Sequence, residues 1–179
     1  KQWKSQHEEW VYEWLNKKIN PINQVEISFA KKEELQHDRN IFIKLNRTIS
    51  EDNIIYILRT LETDCYIEKK SMKDLQLYLR EIGKNENQFL KVYLKNAADS
   101  LLTSLKKLDL YIAVHFFEHP VNRNMKCLYP EKNIDIGGSG SREEDIFYQS
   151  EANKLGALID NAISDYEKLR KAIKEKLYL

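Results

Sequence analysis

Apolar residues recur at steps of three and four along most of this chain, and that spacing predicts helices. Trp3, His7, Trp10 and Trp14, widened by Val11 and Leu15, make one face of a first helix over about residues 1–18. Asn20-Pro21 should end it, because the residue before a proline is pushed out of helical space. Val25, Ile27 and Phe29 then alternate with polar residues, as Ile41, Ile43 and Leu45 do apart from Phe42. Two readings stand for this stretch. One is a small two-stranded element near residues 25–45, and the other is a single helix from about Ile22 to Leu45. Val25–Phe29 leans to strand, and Ile41–Leu45 to helix or extended chain.

Helical punctuation is plainer downstream. Ser50 is an N-cap candidate with Glu51 and Asp52 in the first turn, ahead of a face built from Ile54, Ile55, Ile57, Leu58 and Leu61 that runs to about Ile67. Ser71 with Asp74 reads as a capping box for a helix over Met72, Leu75, Leu79 and Ile82, stopped by Gly83. A long helix follows from about Glu86 to His119, with Leu94, Ala97, Leu101, Leu105, Leu108 and Ile112 as its seam and Pro120 as its end. Ser141 and Glu144 form another capping pattern, opening a last helix to about Leu177 along Leu155, Ile159, Ala162, Tyr166, Leu169 and Ile173. The expected fold is mainly α: a bundle of about five helices, with room for the small two-stranded element near residues 25–45. A single helical domain over residues 1–179 is expected, with a flexible Gly/Ser-containing loop at about 121–140.

Composition narrows the function classes. Only 5 glycines and 3 prolines among 179 residues, with 32% charged, favour helices, and 11% aromatic residues argue against disorder. A formal net charge of +1 gives no basic excess of the kind nucleic acid selects. Two cysteines, Cys65 and Cys127, are too few for a disulfide framework, which favours a reducing, cytoplasmic setting. No apolar run approaches a membrane span, while the start at Lys1 leaves an upstream targeting or membrane segment open as an expectation. The abundance of Lys, Asn and Ile resembles the output of AT-rich bacterial genomes.

The main candidate chemistry is the string His115-Phe116-Phe117-Glu118-His119, which fits H-x-x-E-H. On a helix, two histidines four apart share a face and can reach one metal ion, with a glutamate beside them. The string resembles the zinc motif of the inverted zincin peptidases, the pitrilysin-like enzymes, over these five residues. The resemblance implies a metal-dependent hydrolase with His115 and His119 as zinc ligands and Glu118 as general base. That family takes its third ligand, a glutamate, from further downstream than this chain extends; Glu143, Glu144 and Glu151 are nearer acids. The plainer reading is that both histidines continue the Leu108–Ile112 seam, packed at the edge of a core. No cofactor is expected apart from zinc under the hydrolase reading.

Other patterns add less. The run from Gly137 to Ser141 precedes a helix, where backbone N–H groups attract anions, but it matches no phosphate-loop fingerprint and reads as a linker, natural or engineered. Catalytic helical ribonucleases of the HEPN type need a histidine five residues after an arginine, and no arginine here has one. The leading expectation is therefore a non-catalytic scaffold or protein-interaction domain, with a protein partner or self-association and Trp3, Trp10 and Trp14 as candidate contact residues. The alternatives are the hydrolase and a nucleic-acid-binding or phage-defence effector, whose basic surface would draw on Lys91, Lys95, Lys106 and Lys107.

Overall fold

The computed structural model describes residues 29–138 and 140–177. Two compact units, Lys1–His37 and Asp38–Leu179, divide the chain. The first predicted helix, with Trp3, Trp10 and Trp14, lies outside the described residues, as do Val25 and Ile27. Helix α1 covers residues 29–48, so the helical reading holds over Ile41–Leu45, and the extended alternative there and the strand expected to include Phe29 are corrected: Ile41, Leu45 and Ile49 are buried at steps of four, while Ile43 is exposed. A helical period buries one face of this stretch, which a strand period would not.

Helix α2, Glu51–Asp64, starts as its sequence predicts. Ser50 is extended and its Oγ accepts the Asn53 N–H at 3.3 Å, while Glu51 and Asp52 complement the positive end of the helix dipole. Ile54, Leu58 and Leu61 are fully buried. Cys65 closes the helix in the left-handed region, φ 51°, and returns its N–H to the Leu61 carbonyl. The turn feeds strand β1, Tyr66–Glu68, directly into α3, Lys69–Ile82. That join displaces the expected Ser71–Asp74 box. The helix is already running at Ser71, and the Lys69 N–H finds its partner across the sheet at the Asn124 carbonyl, 2.8 Å. Tyr78 takes the buried position expected of Leu79.

Helix α4 is Val92–His115, shorter than predicted at both ends. At the start, Asn85–Asn87 form a 3-10 turn, and the Asp38 carboxylate from α1 accepts the N–H groups of Leu90 at 2.7 Å and Lys91 at 3.2 Å. Those bonds hold the approach to the helix in extended form. At the far end the aromatic pair Phe116-Phe117 prefers a pleated surface, and strand β2, Phe116–Glu118, replaces the last helical turn. Residues 121–140 are a structured connection rather than a plain loop. They hold strand β3, Met125–Leu128, and the 3-10 turns Pro130–Lys132 and Ile134–Ile136. The sheet is antiparallel with order β1-β3-β2, registered by Tyr66↔Cys127 and Phe116↔Leu128. Gly138 is needed for this connection to close, because a Cβ there would fall 2.7 Å from the Asn133 backbone.

Helix α5, Arg142–Leu177, opens on the predicted cap, with the Glu144 N–H donating to Ser141 Oγ at 3.2 Å. It runs antiparallel to α4, as the bonds Tyr111–Glu151 and Ser104–Asp165 show. Leu101, Leu105 and Leu108 face Leu155, Ile159 and Ala162 across a seam whose members are all 0% exposed. Burial of each leucine contributes about 1.5–3 kcal/mol. Ala98, not Ala97, is the buried alanine of α4. No helix among the described residues is long and apolar enough to cross a membrane.

Candidate functional site

The α4–α5 seam changes character where α4 meets the sheet. One turn beyond Leu108, α4 presents Tyr111 and then His115; on α5 the position one turn before Leu155 is Glu151, a carboxylate only 5% exposed. A buried carboxylate must be paired or hydrogen-bonded, and Glu151 is both. Lys154 Nζ donates to one oxygen at 2.6 Å, and the Tyr111 hydroxyl shares its proton between the other oxygen and the Glu151 carbonyl, each at 2.9 Å. The Lys154 bond, aided by Tyr111, holds the carboxyl below its usual range against the opposing effect of burial. Burial, with the hydrogen bond to Glu151 second, pushes the Tyr111 phenol well up.

His115 closes the cluster. Its ring lies 4.3 Å from that of Tyr111, centroid to centroid. Its Nδ1 is 2.5 Å from the Tyr129 hydroxyl and 3.8 Å from the nearer Glu151 oxygen. Tyr129 follows β3 and sits at φ 35°, a left-handed conformation that costs a bulky residue on the order of 1–3 kcal/mol. The surrounding contacts hold it there: its N–H donates to the His115 carbonyl at 3.3 Å, and its ring is flanked by Phe117 at 5.8 Å and Phe147 at 5.1 Å. Phe117 is 45% and Phe147 37% exposed. Lys132 completes the surface, its ammonium 4.1 Å from the centre of the Phe147 ring.

The five-residue string is distributed differently from the helical expectation. His115 is the last residue of α4, Glu118 lies in β2, and His119 follows the strand. The helical spacing that would put both imidazoles on one face is therefore absent. His119 Nδ1 accepts the N–H groups of Val121 at 3.2 Å and Asn122 at 3.1 Å, which serves the turn into β3. Glu118 is exposed and paired with Lys69 at 2.7 Å, and that bond lowers its carboxyl pKa. Among the described residues, no group of three His, Cys, Asp or Glu side chains is arranged to hold a metal ion.

A second concavity, a groove of ≈ 830 Å³ between the end of α2 and α5, is lined by Cys65, Tyr66, His119, Asn133, Tyr148 and Asp160 among others. Its polar wall is satisfied from within, the Asn133 amide donating to the Tyr148 hydroxyl at 2.9 Å. The thiols beside it are kept protonated by burial, which raises Cys65 and takes Cys127 up to about 11.

Sequence reasoning passed over Tyr111, Tyr129, Phe117 and Phe147, and weighed Glu151 only as a spare metal ligand. One signal was present: Glu151, Leu155 and Ile159 are spaced by four, so an acid occupies a seam position, and Tyr111 and His115 share the facing stripe of α4. Fold and site together define a mainly helical fold with a small antiparallel sheet and a partly exposed aromatic surface beside a half-buried polar cluster around Glu151. Comparison with known proteins found no matching family model, no matching curated protein and no matching solved structure.

Proposed function

We propose that this chain is a non-catalytic helical domain that engages a protein partner through the aromatic surface formed by Phe117, Tyr129 and Phe147. One observation carries the reading. Three aromatic side chains from β2, the β3–α5 connection and α5 converge while two of them stay exposed, and the central one, on a strained backbone, is hydrogen-bonded to a half-buried polar cluster around Glu151. Partly exposed aromatic rings in fixed positions are the residues that anchor interfaces, because they bring large contact area with little entropy left to lose.

The polar cluster beneath supports positioning over catalysis. A nucleophile–imidazole–acid relay needs the acid and the nucleophile on opposite ring nitrogens. Here Glu151 and Tyr129 both address Nδ1 of His115. The buried carboxylate is also saturated by Lys154 and Tyr111.

Site-specific photo-cross-linking tests the proposal. A photoreactive residue at Phe117 or Phe147, introduced into the full chain in cells of its source, should give a discrete protein adduct. The same residue at Ser164, exposed on α5, should not. No adduct from the aromatic positions, or equal labelling from all three, would overturn it.

A further inference from the structure

The surface already holds a cation. Tyr129 and Phe147 meet at 70° with centroids 5.1 Å apart, forming two walls of a corner. The Lys132 ammonium stands over the Phe147 face at 4.1 Å and 5.9 Å from the centre of Tyr129. Aromatic faces attract cations through their quadrupole, and Lys132 occupies the position that attraction favours. It reaches there from the Pro130–Lys132 turn, which is fixed by its own N–H bond to the Tyr129 carbonyl at 2.9 Å. The backbone of the turn is thus anchored, while the ammonium rides on a flexible four-carbon stem. Among the described residues the ammonium rests on ring faces rather than on a carboxylate. Displacing it needs only a side-chain rotation.

We infer that the Tyr129–Phe147 corner is a recognition site for a lysine or arginine side chain of the protein partner, with Lys132 as an intramolecular occupant that leaves when the partner binds. The inference rests on the interaction proposed above and names the chemistry of the partner. Burial first, then the carboxylates of Glu151 and Glu131, push the Tyr129 phenol up against the opposing charge of Lys154, so the rings lie among charges of both signs and it is the geometry of the corner that carries the inference. A site with a resident competitor binds its ligand with an affinity scaled down to the fraction of time it stands open, and removing the competitor should tighten binding.

The test is a titration of the full chain, followed by NMR of its aromatic side chains, with three short peptides alike except for a central lysine, arginine or norleucine. The lysine and arginine peptides should shift the Tyr129 and Phe147 signals saturably, and the norleucine peptide should not. Lys132→Ala should tighten binding by about threefold or more, and Phe147→Leu, which keeps apolar bulk but removes the ring face, should weaken it by about tenfold. Equal binding of the norleucine peptide, or an affinity unchanged by Lys132→Ala, would overturn the inference. So would shifts produced only by phosphocholine vesicles, which would assign the corner to a lipid headgroup. If cross-linking succeeds at positions 117 and 147 while the titrations fail, the interaction stands and the cation site falls.

Discussion

The two ends of the α4–α5 pair are built from opposite chemistry. Around Leu101, Leu105 and Leu108 the buried contacts are apolar, and the facing α5 residues Leu155, Ile159 and Ala162 are equally dry. Beyond them, the same helical stripe carries Tyr111 and His115 against Glu151. An apolar seam needs only shape and area, so many sequences serve it. A buried carboxylate such as Glu151 is stable only when it is satisfied, so it fixes particular side chains around it in particular positions. The dry end holds the helices together, and the polar end ties the Tyr129 hydroxyl to His115 and so fixes its ring between Phe117 and Phe147.

That contrast orders the expected effects of substitution. Leu105→Ala should destabilise the fold most, by about 2–5 kcal/mol, read as a fall in the urea midpoint, because the position has no solvent access and a cavity would remain. A loss below 1 kcal/mol would mean that the seam is looser than its burial implies. Glu151→Ala should cost about 1–3 kcal/mol by removing the carboxylate that accepts from Lys154 and Tyr111, although the Tyr111 hydroxyl keeps the carbonyl of residue 151 as an acceptor. Ser50→Ala should cost about 1 kcal/mol, as for a lost N-cap, with no effect on the aromatic surface. Phe117→Ala and Phe147→Ala should each cost about 1 kcal/mol or less, since both rings are already part-exposed and lose only their contacts with Tyr129 and its neighbours.

Acid sharpens the comparison further. The folded Glu151 carboxyl titrates below its ordinary range, chiefly through the bond from Lys154 and then that from Tyr111. A depressed folded pKa means that the stabilisation is complete above the ordinary carboxylate pKa and is lost as pH falls through the lower folded value. Wild type should therefore lose stability on acidification by more than Glu151→Gln does, in parallel urea titrations. Identical pH profiles would show that the carboxylate contributes no charge-dependent stability.

Much of this architecture was legible beforehand. The three-four repeats of α4 and α5 gave the bundle, and Ser50 and Ser141 marked two helix starts correctly. Sheet and site were harder to read because their causes are not local. The alternation at Ile41–Leu45 left helix and extended chain both open, and burial at steps of four made it helix. The sheet instead takes Phe116–Glu118 from what looked like a helix end, and Met125–Leu128 from what looked like a loop, since each needs the other for its hydrogen bonds. The same exchange breaks the five-residue histidine string. Tyr129 gave no signal at all, because its left-handed backbone and its bond to His115 appear only once α4, β3 and α5 are together.

The most direct test is the yield of the cross-linked adduct from a photoreactive residue at position 117, measured in the wild-type background and in Phe147→Ala, with thermal unfolding of both chains recorded in parallel. Partner binding through a shared aromatic surface requires the adduct to vanish in Phe147→Ala while the melting temperature stays nearly unchanged. An adduct that persists at full yield with Phe147 removed would contradict that surface as the place where the partner binds.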